Sequence, residues 1–145
     1  MAELEIDAVM DNLQQVFDFV TGELSTRTND KKLIRKIKLC VEEIFTNISS
    51  YAYHPSTGSA KIMVRVEGNP VPIRVFLTFI DNGQPFDPLS EEAPDTEAEL
   101  EDRNPGGLGI FLVKNNVDGI SYEYSEGQNI LTIEKVLPMA AEGGR

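Results

Sequence analysis

The chain has 145 residues, with 13 Lys+Arg against 24 Asp+Glu and a formal net charge of −11. That length supports one domain around a single core, and the acidic balance argues against direct nucleic-acid binding, which needs clustered cations. At 41% hydrophobic residues the composition is that of a globular protein, and no apolar run approaches the ~20 residues of a membrane span.

Glu3 to Asp7 reads as a leading strand. Leu13, Val16, Phe17, Val20 and Leu24 then recur at helical spacing, with Asp7 or Asp11 as the expected N-cap. Ser25 to Asp30 is turn chemistry. A second helical stripe follows through Leu33, Ile37, Cys40, Val41, Ile44 and Ile48; it fades near Tyr53, and Pro55 closes it. Lys61 to Glu67 alternates as a strand, with Ile62, Val64 and Val66 on one face. After the turn Gly68-Asn69-Pro70, Ile73 to Ile80 forms another, with Val75, Leu77 and Phe79 facing one way. Asp87 to Pro105 holds eight acids against only Arg103, and a loop of that length inside a domain reads as a lid or disorder. Gly106-Gly107-Leu108-Gly109 opens a third helical segment to Val117. Ile120 to Ser125 and Ile130 to Val136 finish as strands joined at Glu126-Gly127-Gln128, and Pro138 to Arg145 reads as a flexible tail. The order β-α-α-β-β-lid-α-β-β predicts an α+β fold, a two-layer sandwich with one mixed sheet and helices on one face.

Three segments carry chemistry. Glu43 and Asn47 are four residues apart, so on a helix they project from one face. A carboxylate there can take a proton from an attacking hydroxyl, and an amide oxygen can ligate a hard cation such as magnesium. Alone, the pair is also what two solvated polar residues look like. Asp81-Asn82-Gly83-Gln84-Pro85-Phe86-Asp87-Pro88 follows a buried-looking strand. Its first carboxylate can accept from an exocyclic base amine, and Gly83 would let a flat ring approach the backbone, although the same residues make an ordinary turn. Gly106 to Lys114 puts glycines at a helix start, where backbone N–H groups cradle anions. It is neither a Walker nor a Rossmann motif.

Together, in this order, these segments resemble the histidine-kinase-like (Bergerat) ATP-binding fold, and more narrowly the anti-sigma factor serine/threonine kinases of bacterial partner-switching systems. The segments that carry the likeness are Val41 to Asn47, Asp81 to Pro88 and Gly106 to Lys114. The resemblance implies one ATP-binding domain over residues 1–137, with its lid at 87–105 and the tail at 138–145. It implies that Glu43 is the general base, that Asn47 holds Mg2+ with the nucleotide, and that Asp81 reads the adenine amine with Gly83 beside the ring. Gly107, Leu108 and Gly109 would wrap the triphosphate of ATP.

Some positions depart from the family pattern. Tyr51 stands where many members carry a basic residue, Pro85 and Pro105 replace motif glycines, and Asn129 stands about where many have Thr. Arg103 and Lys114 are the nearest cations that could contact the phosphates. The implied activity is phosphorylation of a Ser or Thr on a STAS-domain anti-anti-sigma factor, with a sigma factor as a competing partner and a homodimer as the assembly. The rivals are a non-catalytic switch module and an ATPase whose lid couples hydrolysis to dimer closure.

Outside these segments, His54 suits a helix C-terminal cap and Cys40 suits the core. The single cysteine fits a reducing compartment, and the acidic start from Met1 to Asn12 lacks the basic region of a signal peptide, so the expected location is cytoplasmic. Lys31, Lys32, Arg35, Lys36 and Lys38 form either a solvated helix face or a docking surface for an acidic partner.

Overall fold

Helical periodicity between Leu33 and Ile48 translates into the longest element of the protein, whose computed structural model describes residues 1–53, 56–68, 72–90 and 107–137. The elements are β1 (Ala2–Asp7), α1 (Leu13–Ser25), α2 (Lys31–Asn47), β2 (Ser59–Glu67), β3 (Ile73–Asp81), α3 (Gly107–Asn116), β4 (Gly119–Ser125) and β5 (Gln128–Leu137). Residues 54–55, 69–71, 91–106 and 138–145 lie outside the described set, and with them His54, Pro55, Asn69 and Pro70 of the expected turn, Arg103, Pro105, Gly106, most of the expected lid and the tail. Among the described residues no helix is long and apolar enough to cross a membrane.

α1 buries Val16, Val20 and Leu24. Neither Asp7 nor Asp11 caps it. A single 3-10 turn, Met10–Asn12, precedes the helix and puts Asn12 at the N-cap position, where its Nδ2 donates back to the Asp7 carbonyl at 2.9 Å. α2 is capped by Asp30, whose Oδ1 accepts from the Lys32 and Leu33 amides at 3.1 Å each. That carboxylate offsets the cations that crowd this helix start against the dipole. One of them, Lys38, lies 4.9 Å from the centroid of the Phe17 ring. The buried face of α2 holds Leu33, Ile37, Cys40, Val41 and Ile44, as the spacing predicts, together with Phe45. Burial pushes the Cys40 thiol up to about 11, which marks a core residue.

The five strands form one sheet in the order β1-β2-β3-β5-β4. Every neighbouring pair is antiparallel, where a mixed sheet was expected. The reason lies in the connections. Two helical passes separate β1 from β2, so the chain returns reversed. One helix separates β3 from β4, which makes those two strands parallel, but β5 lies between them and no parallel ladder forms. The β4–β5 hairpin closes on Glu126 and Gly127, at φ 53° and 79°, as a two-residue turn matched to strand twist requires.

Ala60, Ile62 and Val64 from β2, Val75, Leu77 and Phe79 from β3, and Leu131 and Ile133 from β5 are buried in one core with the helix stripes. The opposite face of the sheet is half exposed. There Arg65 stacks over Phe76, 4.3 Å from its centroid, and the Thr78 and Thr132 hydroxyls bond at 3.1 Å.

Asp30→Ala leaves two amides of α2 without their acceptor and should cost about 1 kcal/mol in urea unfolding. Phe45→Ala, at a site with no exposure, should cost about 3–5 kcal/mol.

Candidate nucleotide site

The site begins where α2 stops being an α-helix. After Asn47 the chain makes a π-helical turn, Ile48–Ala52, which is a common feature of functional sites. The wider turn leaves its last carbonyls to partners outside the helix. The Gln84 amide donates to the Ala52 carbonyl at 2.9 Å, and Gln84 Nε2 donates to the Tyr51 carbonyl at 3.0 Å. The segment leaving β3 is thereby fastened to the end of α2. Tyr53 adds a second clasp: its hydroxyl donates to the Ser59 carbonyl at 2.6 Å and accepts from the Asn82 amide at 2.8 Å. Burial, opposed by that amide, raises the Tyr53 phenol above its usual range.

Gly83 sits inside this junction. A Cβ there would lie 2.2 Å from the Ala52 carbonyl oxygen, so the missing side chain admits the protein's own backbone. Its amide donates to Asp81 Oδ1 at 2.9 Å.

Asp81 ends β3, and Asn129 lies opposite it on β5. Each is only 5% exposed, and they are the buried polar residues among those described. Asn129 Nδ2 donates to Asp81 Oδ1 and to the Gln84 carbonyl, both at 2.9 Å. Its Oδ1 accepts from the Phe86 amide at 3.1 Å and from the Tyr122 hydroxyl. All four hydrogen-bonding positions of the amide are used, which fixes its orientation. Asp81 Oδ1 therefore carries two bonds, whereas Oδ2 accepts none from the described residues. A buried carboxylate oxygen without a donor is costly unless a ligand supplies one.

Asp81, Asn129 and Tyr122 line a cleft that is partly open to solvent. Its walls are apolar, with Ile44 and Ile48 from the α2 side, Phe79 and Leu131 from the sheet, and Ile110 from α3. Such walls suit a flat aromatic base, and Asp81 supplies the acceptor. Asn47 also lines the cleft, and its side chain makes no hydrogen bond with a described residue. No group of three His, Cys, Asp or Glu side chains gathers among the described residues. The donor set thus fits a hard cation that takes one amide oxygen from the protein and shares the nucleotide's phosphates.

Glu43 lies one turn earlier on α2 and meets α3. A Cβ on Gly109 would stand 2.3 Å from Glu43 Oε2, so glycine is what lets the carboxylate lie against the first turn of α3. Burial, and secondarily the Glu42 carboxylate, raises the Glu43 carboxyl above its ordinary range. Such a group is a stronger base than a solvated glutamate.

Glu43, Asn47, Asp81, Gly83 and Gly109 therefore come together around the junction of α2, β3 and α3. Gly107 and Leu108 open α3. Lys114 does not join them: it is exposed in the last turn of α3, roughly 10 Å along the axis from the glycine end. Tyr51 lines the cleft. Asn129 does more than the sequence reading assigned to it, and a signal was present. It shares its strand face with Leu131 and Ile133, so a polar residue stands where alternation demands a buried one.

The profile described as Histidine kinase-like ATPase domain matches residues 6–135. The chain is also similar to Serine/threonine-protein kinase BtrW of Bordetella bronchiseptica, with 31% identity over 97 residues. That stretch is 67% of this chain and 66% of the relative, just under two thirds of the relative's length.

A carboxyl with a raised folded-state pKa contributes stability at low pH that is lost as pH rises through that pKa. Glu43→Gln should therefore raise the thermal midpoint at pH ~7 and leave it unchanged near pH ~3, where both forms are neutral. Thermal melts at the two pH values check this.

Proposed function

The chain belongs to the histidine kinase-like ATPase family, and on that premise we propose that it binds ATP and transfers the γ-phosphoryl group to a Ser or Thr hydroxyl of a small protein. The acceptor we propose is a STAS-domain anti-anti-sigma factor, with a sigma factor competing for the same surface of this chain. The observation that carries the reading is one arrangement. The buried acceptor Asp81 and the amide of Asn47 line the same apolar cleft, and Glu43 stands one helical turn before Asn47, against the first turn of α3. The printed name of the Bordetella relative, a serine/threonine-protein kinase, supports the choice of acceptor residue.

The adenine ring would lie between Ile48 and Leu131, its amine donating to Asp81 Oδ2. This places the phosphates toward Asn47 and the first turn of α3, where Gly107 and Gly109 keep the backbone approachable. Magnesium, when bound with ATP, neutralises phosphate charge, and the Asn47 amide oxygen would hold it. Glu43 orients the incoming hydroxyl and takes its proton, helped by the burial that raises its basicity. Holding nucleophile and phosphate in line is the larger part of the rate gain in phosphoryl transfer.

A second reading, a nucleotide-holding switch that does not phosphorylate, is favoured by one residue. Tyr51 lines the cleft at the position where many similar proteins carry a cation, so no charge from that position would assist the phosphates.

Four measurements decide. Calorimetric titration should show ATP binding that strengthens with magnesium. Asp81→Asn replaces the free oxygen with a donor facing the adenine amine, and should weaken ATP at least about tenfold without unfolding the protein. With labelled ATP and a purified STAS protein, Glu43→Gln should abolish transfer while keeping nucleotide affinity. The wild-type rate should fall as pH drops through a midpoint above the ordinary glutamate value of about 4.3. Transfer unaffected by Glu43→Gln would remove the base from this scheme, and wild-type binding without any transfer would leave the switch.

A further inference from the structure

A carboxylate alone does not tell adenine from guanine. Adenine presents one exocyclic amine beside a ring acceptor. Guanine presents a ring N–H and an amine side by side, a pair of donors that suits the two oxygens of a carboxylate. A guanine placed as adenine would be placed turns its carbonyl oxygen toward the carboxylate. To bind, it must shift until both donors reach both oxygens.

In this protein the two oxygens of Asp81 are not equivalent. Oδ1 accepts from the Gly83 amide and from Asn129 Nδ2, each at 2.9 Å, so both of its lone pairs are used. Oδ2 accepts nothing from the described residues. Asn129 cannot turn to release Oδ1. Its second Nδ2 hydrogen is held by the Gln84 carbonyl, and its Oδ1 is held by the Phe86 amide and the Tyr122 hydroxyl. The residue is 5% exposed and spends every donor and acceptor on the protein, keeping none for a ligand.

Building on the ATP-binding reading, we infer that Asn129 is a positioning residue that sets base specificity: by occupying Asp81 Oδ1 it makes Asp81 a one-oxygen reader, matched to the single amine of adenine and mismatched to the paired donors of guanine. Glycine at position 83 contributes its backbone amide to the same oxygen. The amide of Asn129 is the half of the arrangement that a side-chain substitution can remove.

The test compares ATP and GTP on the full chain, by calorimetry or by displacement of a fluorescent ATP analogue. Wild type should bind ATP at least about 100-fold more tightly than GTP, since paired donors left without partners are strongly rejected. Asn129→Ala frees one lone pair of Oδ1, and the ATP-to-GTP affinity ratio should drop at least about tenfold. Tyr122→Phe keeps Asn129 but loosens its amide, and should shift the ratio the same way by less. A purely structural role for Asn129 would weaken both nucleotides together, so an unchanged ratio in a folded variant overturns the inference. Wild type binding GTP within about threefold of ATP overturns it as well, whatever the variants do. Should circular dichroism show Asn129→Ala unfolded, the wild-type ratio and Tyr122→Phe decide. Wild type that binds neither nucleotide removes the ATP-binding reading itself, and this inference with it.

Discussion

The buried pair Asp81–Asn129 is the constraint around which the candidate site is arranged. A carboxylate at 5% exposure needs hydrogen bonds to offset its desolvation. Here they come from the Gly83 backbone amide and from the Asn129 side-chain amide, which is itself saturated by partners on β4 and on the segment leaving β3. One side chain therefore ties β3, β4, β5 and residues 84–86 to a common geometry. Position matters as much as bonding. Asp81 continues the inward face of Val75, Leu77 and Phe79, while Asn129 starts the inward face of Leu131 and Ile133. At this end of the sheet the core-facing rows change from apolar to polar, and the core gives way to the cleft. The same alternation that builds the interior thus delivers a polar anchor at its mouth.

Topology brings the remaining groups to that mouth. The reversal between β1 and β2 uses two helices, and it directs the end of α2 toward the end of β3. A single helix, α3, then starts beside them. The π-helical turn makes the join possible by leaving the Tyr51 and Ala52 carbonyls for Gln84, and Gly83 makes it close. Each of these local features breaks a rule of regular structure. Each also sits within the site or next to it, where such departures concentrate.

Much of the fold was legible because it rests on periodicity. The α2 stripe and the inward faces of β2 and β3 follow directly from spacings of 3.6 and 2. What escaped depends on three-dimensional neighbours. The mixed sheet failed because strand order is not local, and β5 inserts between β3 and β4. Asp7 and Asp11 look like caps in sequence, yet an extra 3-10 turn hands that position to Asn12. In the candidate site, Glu43 and Asn47 share a face as their spacing requires, and Asp81 is buried as its strand implies. The packing of Gly83 against the Ala52 carbonyl was not legible, because that carbonyl lies some thirty residues earlier in the chain. Lys114 lies in the last turn of α3, away from the glycines that open it, because nearness in sequence along a helix is distance along its axis.

The burial of Cys40 has a practical consequence for watching this protein open. The chain holds one thiol, with no exposure and its ionisation held up at about 11. A thiol reagent can reach it only when α2 leaves the sheet, so the labelling rate acts as a clock for that opening under native conditions. Any ligand that binds the closed form slows the clock by mass action, which turns the single cysteine into a built-in gauge of occupancy at a site it never touches.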